Sequence, residues 1–208
     1  MYEFTDIILD YLNKRFIKRF KVLKTVLKSD EINRMKEAVD EVYEDNYKDV
    51  RSKYREIGRY YYREAGGKDE EDIIDYLWID KFLQRYDPVT KYVFQNEVDR
   101  KRARTFEMMV ASDNPKDMDT SLRLWAGQVK QWAEEVTDTA TIEGYKSIGI
   151  KRVKWNTEKD DRVCAECHAR DGVIFDIDNI PDKPHIGCRC WLTPVRENGE
   201  SNGKQDNN

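Results

Sequence analysis

The sequence predicts a mainly α-helical protein, with long amphipathic helices in a bundle or an extended array, that ends in a small α+β module. Charged residues make up 38% and apolar residues 39% of the 208 positions, a balance typical of long amphipathic helices. All 4 cysteines and both histidines fall within Cys164–Cys190. We therefore expect a helical, partner-binding region at 1–150, a compact C-terminal module at 151–195 and a disordered tail at 196–208.

The first helix is predicted over Thr5–Leu27, where apolar residues recur three and four positions apart. The opposite face is basic between Lys14 and Lys28. A basic helix face is either solvated or a surface for nucleic acid or for an acidic partner. The apolar residues of this helix are Ile8, Leu12, Phe16, Phe20, Leu23 and Leu27.

A second, longer helix is predicted from Ser29-Asp30, which can cap its first turn, to Gly66-Gly67. Its apolar residues follow a near-heptad order, which fits either an antiparallel bundle or a coiled coil between subunits. Tyr60 and its neighbouring tyrosines lie on more than one side of the helix, so either core packing or contact with another chain is expected. The seam residues are Ile32, Met35, Val39, Val42, Asn46, Val50, Tyr54, Ile57 and Tyr61.

Three further helices complete the predicted helical region. The third begins with the acidic segment Lys68–Asp72, which supplies its first turn, and stops at Asp87-Pro88. The fourth begins at Thr90 and ends at about Ala111, and the fifth extends from Asp119 or Thr120 to about Gly149. The basic segment Arg100–Arg104 in the fourth helix is interpreted as solvated or ion-paired, with contact to nucleic acid as the alternative.

Two cysteine knuckles in the C-terminal module have the spacing of metal ligands. Cys164 and Cys167 form a C-x₂-C pair, and His185, Cys188 and Cys190 follow after a loop that contains two prolines. Thiolate and imidazole ligands at such spacing assemble a closed tetrahedral Zn²⁺ site. We expect one structural zinc ion, with Cys164 and Cys167 as ligands and one of the other three donors left over.

The geometry expected around the knuckles leaves some choices open. His168 is expected outside the ligand set. Two disulfides are the alternative to a metal, although disulfides are rare in reducing compartments and no secretory signal is visible.

Short apolar runs predict three short antiparallel strands, at Val153–Trp155, Val173–Phe175 and Cys190–Val195. A module of about 45 residues buries too little apolar surface to be stable alone. Metal binding contributes roughly 10–16 kcal/mol of apparent folding free energy in such modules and would supply the missing stability. The predicted module is therefore zinc-stabilised.

The sequence contains no catalytic constellation. It has no His-x-Glu motif, which zinc deaminases require, and no Gly-rich phosphate loop. Five soft donors also favour a closed metal site over one with an open position for water. We expect a protein that is not an enzyme, with a metal-dependent hydrolase or effector as the less favoured alternative. No apolar run reaches the ~18–20 residues of a membrane span.

The C-terminal residues resemble a known signature. It comprises Trp155-x₄-Asp160-Asp161-x₂-Cys164-x₂-Cys167, then Asp171-Gly172, then Pro184-His185-x₂-Cys188-Arg189-Cys190, preceded by the helical run 137–151. This order resembles the phage head-morphogenesis family, minor capsid proteins similar to the F protein of phage Mu.

The resemblance implies a structural or assembly role at the portal and in the head interior of a tailed phage. The implied partners are portal and capsid proteins, with packaged double-stranded DNA as a further contact, and several copies per virion. The protein would be found in the virion, and in the host cytoplasm during assembly. A zinc-stabilised nucleic-acid-binding protein is the alternative function. Aromatic residues such as Phe16, Phe20, Tyr54 and Trp78 are candidate anchors for a partner, with a place in the core as the alternative for each.

Overall fold

The computed structural model describes residues 2–27, 31–68, 94–112, 114–185 and 188–196. Its elements confirm a mainly α-helical chain with a small C-terminal sheet. The helix predicted between Lys68 and Asp87, including Trp78, and the tail beyond residue 196 lie outside the described residues. The elements are α1 (Glu3–Val26), α2 (Ile32–Glu64), α3 (Phe94–Ala111), α4 (Pro115–Ser147), β1 (Arg152–Asn156), α5 (Ala165–Arg170), β2 (Ile174–Asp176) and β3 (Trp191–Val195).

The described residues divide into two compact units. The helical unit comprises Tyr2–Tyr61 and 94–140, and the C-terminal unit comprises Tyr62–Lys68 and 141–196. None of the described helices combines the length and the apolar character that crossing a bilayer requires.

Aromatic residues from three helices meet in the core of the helical unit. The Trp125 ring of α4 packs edge-on against Phe16 of α1 and Tyr43 of α2, with centroid distances of 5.8 and 5.3 Å. The Tyr54 hydroxyl donates a 2.7 Å hydrogen bond to the Val129 carbonyl oxygen. Every predicted seam residue of α2 except Ile32 is buried. The seam of α2 is thus covered by helices of the same chain, as the bundle interpretation predicted.

The expectation that Phe16, Phe20 and Tyr54 anchor a partner is wrong. Their exposed fractions are 0%, 1% and 0%, because they fill the core of the helical unit. The exposed aromatic surface lies elsewhere. Tyr60, for example, is 40% exposed although its ring stacks on Phe4 at 4.3 Å.

Most cations on the basic face of α1 have acidic partners. Arg15 and Arg19 both reach Asp49, at 2.6 and 2.7 Å, and Lys24 reaches Asp119 at 2.5 Å. Lys14 pairs with Asp10 one turn earlier on the same helix. The structure therefore uses much of this face for ion pairs within the chain.

The basic segment of α3 is also largely paired. Arg100 donates from Nε and Nη2 to both carboxylate oxygens of Glu97, and Lys101 lies 3.7 Å from the same carboxylate. The Glu97 side chain is 1% exposed, so these two cations compensate a buried charge. Burial lowers the pKa of Lys101, although Glu97 opposes the shift. Arg102 pairs with Asp99 at 3.0 Å.

Helix α4 begins at Pro115, four or five residues earlier than the predicted start at Asp119 or Thr120. Asn114 Oδ1 accepts a hydrogen bond from the Lys116 backbone N–H at 3.1 Å, as an N-cap side chain does. Proline suits the first helical position because its missing N–H would have had no partner there. The sequence Asn114-Pro115 is thus a helix start as well as a break.

The predicted helix end near Gly149 is confirmed, since α4 stops at Ser147. The Gly149 N–H donates to the Lys146 carbonyl and the Ile150 N–H to the Tyr145 carbonyl, at 3.0 and 3.1 Å. This is the Schellman pattern, which places a left-handed residue after the last turn. Gly149 has a φ of +79°, which glycine adopts without strain.

The C-terminal unit contains a three-stranded antiparallel sheet in the order β2-β1-β3. In the central strand, Val153 lies opposite Phe175 on one side and Pro194 on the other. Val153 and Trp155 are buried on β1 at 0% and 2% exposure. The predicted strands are confirmed to within one residue at each end, and the cysteines lie beside the sheet that they form.

Candidate metal centre

The first knuckle is built by the short helix α5. Cys164 is its N-cap residue, in an extended conformation, and its sulfur accepts a hydrogen bond from the Cys167 backbone N–H at 3.4 Å. Cys167 follows in the first turn of the helix. Capping geometry therefore brings the two sulfurs to the same end of α5, as the C-x₂-C spacing of a metal knuckle requires.

The second knuckle brings its donors to the first. His185 Nε2 lies 3.2 Å from Cys164 Sγ and 3.9 Å from Cys167 Sγ. Cys188 Sγ lies 3.4 Å from Cys167 Sγ. In a tetrahedral site with Zn–S bonds of about 2.3 Å, sulfur ligands stand roughly 3.8 Å apart. The 3.4 Å between the sulfurs of Cys167 and Cys188 is close to that spacing.

The donors form two groups of three that share one residue. Cys164, Cys167 and His185 form one group, and Cys167, Cys188 and Cys190 form the other, with donor atoms within 4.8 Å of one another in each. The five predicted candidates thus lie in two adjoining groups, and Cys167 is common to both. His168 is exposed on α5 and belongs to neither group.

Cys188 and Cys190 precede strand β3, which begins at Trp191. Both sulfurs lie near that of Cys167, as expected for residues two positions apart, which share one face of an extended chain. All four cysteines are free thiols in the structure. The 3.4 Å between Cys167 and Cys188 is well beyond the ~2.05 Å of a disulfide bond.

The cluster has a buried side and an accessible side. Cys167, Cys188 and Cys190 are only 2–3% exposed and pack with Trp155, while His185 is exposed and Cys164 is half-buried. Other apolar side chains surround the buried side: Val163, Phe175, Ile180 and Leu192. Burial of this kind excludes water from three of the five donors.

The environment affects the thiols differently. The Cys167 backbone N–H, followed by smaller effects that include His185, lowers the pKa of Cys164 to about 7. Burial raises the pKa of Cys167 and of Cys190. Without a cation, the buried thiols therefore keep their protons, and a bound metal ion would favour the thiolate forms.

Trp155 forms one wall of the cluster. Its indole N–H is buried without a well-formed hydrogen bond. Burial is the main influence on the pKa of Cys190, and an interaction with this indole works in the opposite direction. A metal-bound thiolate is a better acceptor than a thiol, so the indole N–H fits a metal-bound Cys190. The donor set and its surroundings therefore fit a soft divalent metal ion, and the residues that would hold it are the five donors of the two knuckles.

Sequence reasoning did not find the ion pair beside the cluster. Arg189 lies between Cys188 and Cys190, and its guanidinium reaches Asp160, 29 residues earlier. Both residues belong to the signature. Their contact joins two segments that are far apart in the sequence and that only the fold brings together.

Long packed helices followed by a small sheet with a Cys/His cluster define a helical protein with a thiol-rich module that could hold a metal ion. The chain belongs to the family of Phage Mu protein F like proteins, whose model matches residues 89–193, about half of the chain. This is a phage head-morphogenesis and minor capsid family. The family resemblance of the C-terminal signature is thereby confirmed.

A more distant comparison covers less of the chain. An uncharacterized protein of Haemophilus influenzae is 42% identical over 62 aligned residues, and the match covers 27% of this chain and 14% of that protein. The chain thus matches a small part of that relative's length. No solved structure matches the chain.

Proposed function

We propose that this protein is a minor head protein of a tailed phage, with a structural or assembly role at the portal and in the head interior. The family match over residues 89–193 is the observation that carries the proposal. Its partners would be portal and capsid proteins, with several copies in each virion. The protein would reach the virion from the host cytoplasm during assembly.

We further propose that the C-terminal cluster holds one structural Zn²⁺. The support is chemical, since thiolate sulfur and imidazole nitrogen are the donors that zinc prefers. The two groups of three donors share Cys167, and a tetrahedral site filled by four of the five donors would leave no position for a reactive water. The metal would then stabilise the module, and the protein would not be an enzyme.

The role in head assembly is tested by comparing heads assembled with and without the protein. Electron microscopy of wild-type and deletion heads should show density at the portal or inner head surface that is lost in the deletion. The protein should also co-purify with portal or procapsid. A wild-type protein that is absent from both procapsids and mature heads would overturn the proposal.

We also propose that α1 contacts packaged DNA. This contact would depend on Lys18 and Lys21. These two are exposed on α1, and among the described residues they have no acidic partner within ion-pair distance, unlike Arg15 and Arg19. Binding through phosphate contacts weakens steeply with salt. The extensive pairing of α1 counts against nucleic-acid binding as the principal function.

A matched pair of double variants tests this contact. Lys18→Glu/Lys21→Glu should weaken any salt-dependent binding to duplex DNA. Lys116→Glu/Arg123→Glu makes the same charge change at exposed positions on α4. This variant should leave the contribution of α1 to DNA binding intact. Equal effects of the two variants would show that only net charge matters, and DNA contact by α1 would be excluded.

A further inference from the structure

The cysteines of the second knuckle are separated by a single residue, Arg189, whose side chain points to the segment before the first knuckle. Arg189 Nη1 donates to Asp160 Oδ2 at 2.8 Å, and Nη2 donates to Asp160 Oδ1 at 2.6 Å. Two parallel N–H···O bonds fix the orientation of both groups, which a lysine could not do. The pair therefore connects the two halves of the candidate metal centre.

Asp160 is itself held in place. Its Oδ1 accepts a hydrogen bond from the Arg162 backbone N–H at 3.1 Å, and its carbonyl oxygen accepts one from the Val163 N–H at 3.3 Å. The resulting turn leads directly into Cys164, the N-cap of α5. The carboxylate that accepts hydrogen bonds from Arg189 is thus part of the turn that sets the position of the first knuckle. Hydrogen bonding from Arg189 keeps the pKa of Asp160 well below its usual range.

Although the Asp160–Arg189 pair is partly exposed, its location lets it restrain the candidate metal ligands. The side chains of Asp160 and Arg189 are 32% and 39% exposed, and exposed ion pairs add little to folding stability. However, Arg189 is covalently bonded to both Cys188 and Cys190. Any restraint on Arg189 therefore acts on two candidate ligands at once, as outer hydrogen bonds do when they orient metal ligands.

We propose that the Asp160–Arg189 pair is a positioning device for the metal centre, which holds Cys188 and Cys190 against Cys167 and so slows the loss of the metal ion. This inference rests on the proposed zinc site. It gives a role to two residues of the signature that are not themselves metal donors.

The rate of zinc release from the full-length protein tests the proposal. Zinc transfer to an excess of a chromophoric chelator is followed by absorbance in low salt. Asp160→Asn and Arg189→Gln should each release zinc about 10-fold faster than wild type, the lower end of the effect of losing an outer-shell partner. Asp161→Asn makes the same charge change at the adjacent exposed position and should release zinc at the wild-type rate. Circular dichroism of each variant checks that the fold is retained.

The double variant Asp160→Asn/Arg189→Gln separates an ion pair from two independent effects. If the residues act as a pair, the double variant releases zinc no faster than either single variant. Multiplied effects, or single variants that behave like Asp161→Asn, would overturn the proposal. A wild-type chain that binds no zinc, even when refolded with it, would instead overturn the metal centre itself, and this inference with it.

Discussion

At the scale of single residues, Cys167 differs from the other donors because it belongs to both groups of three. Cys167→Ser leaves neither group intact, so the protein should lose zinc completely. His185→Ala and Cys190→Ser each leave one group of three intact and should weaken zinc retention without abolishing it. Metal analysis after dialysis against a weak chelator measures the difference, and His168→Ala, at an exposed histidine outside both groups, is the control. Equal zinc loss from all donor variants would contradict the shared role of Cys167.

The thiol pKa values predict how metal binding depends on pH. Burial raises the pKa of Cys167 and Cys190, and Cys164 has a pKa of about 7, so zinc must displace protons from these thiols near neutral pH. Protons compete more strongly as the pH falls. The apparent affinity for zinc should therefore decrease by at least about tenfold per pH unit between about pH 7 and pH 6. Competition with a chelator of known pH dependence measures it, and an affinity that is constant over this range would contradict the prediction.

The candidate donors themselves were predictable because cysteine and histidine carry the chemistry and their spacing is local. Cys164 and Cys167 needed only the first turn of α5 to converge. By contrast, the contact between Asp160 and Arg189 depends on the path of the chain between the knuckles, which no short-range pattern describes. The same is true of Trp155, whose place against Cys190 follows from how β1 lies beside the cluster.

At the scale of secondary-structure elements, Gly144 marks a close approach between α4 and the end of α2. A Cβ atom at Gly144 would lie 2.6 Å from both the Tyr62 carbonyl oxygen and the Ala65 Cβ. Since a backbone atom cannot move aside cheaply, Gly144→Ala should destabilise the protein by about 1–3 kcal/mol, as overpacking does.

The matched control lies on the same helix. Gly127 has nothing within 4 Å of its would-be Cβ, so Gly127→Ala should stabilise α4 by roughly 0.5–1 kcal/mol through helix propensity. Chemical unfolding of both variants and wild type measures the two changes. Opposite signs are expected, and a stabilising Gly144→Ala would show that the two helices do not approach as described.

Element types were easier to predict than element boundaries. The spacing of apolar residues in α1 and α2 indicated which face is buried, because a regular helix repeats that face every 3.6 residues. The start of α4 was mistaken because Asn114-Pro115 fits both a break and a capped helix start. Hydrogen bonding by Asn114 decides between them, and that bond forms only when the following turn is helical.

At the scale of the whole molecule, the metal is proposed to stabilise one region of the chain. Removing zinc from the full-length protein should increase amide hydrogen exchange in residues 151–195, where the small sheet buries little apolar surface. The aromatic core around Trp125 and Tyr43 contains none of the candidate donors, so exchange there should change little. Mass spectrometry of peptides before and after chelation measures both regions. An equal increase in the helical core would contradict a local role for the metal.

The partner surface could not be predicted from the sequence. Periodicity identifies an apolar helix face, but it does not say whether the same chain or another protein covers that face. Phe16 and Tyr54 therefore fitted both roles until the structure placed them in the core. The sequence also did not say whether the basic face of α1 contacts another molecule. In the structure, Arg15 and Arg19 pair with Asp49 of the same chain.

The central claim, that the C-terminal cluster is a structural zinc site, is tested most directly by native mass spectrometry of the full-length protein purified under reducing conditions. The measurement should give the mass of the chain with one zinc ion, and that species should disappear in Cys167→Ser. A metal-free mass for the wild-type chain, or a mass that corresponds to two intramolecular disulfides, would contradict the claim.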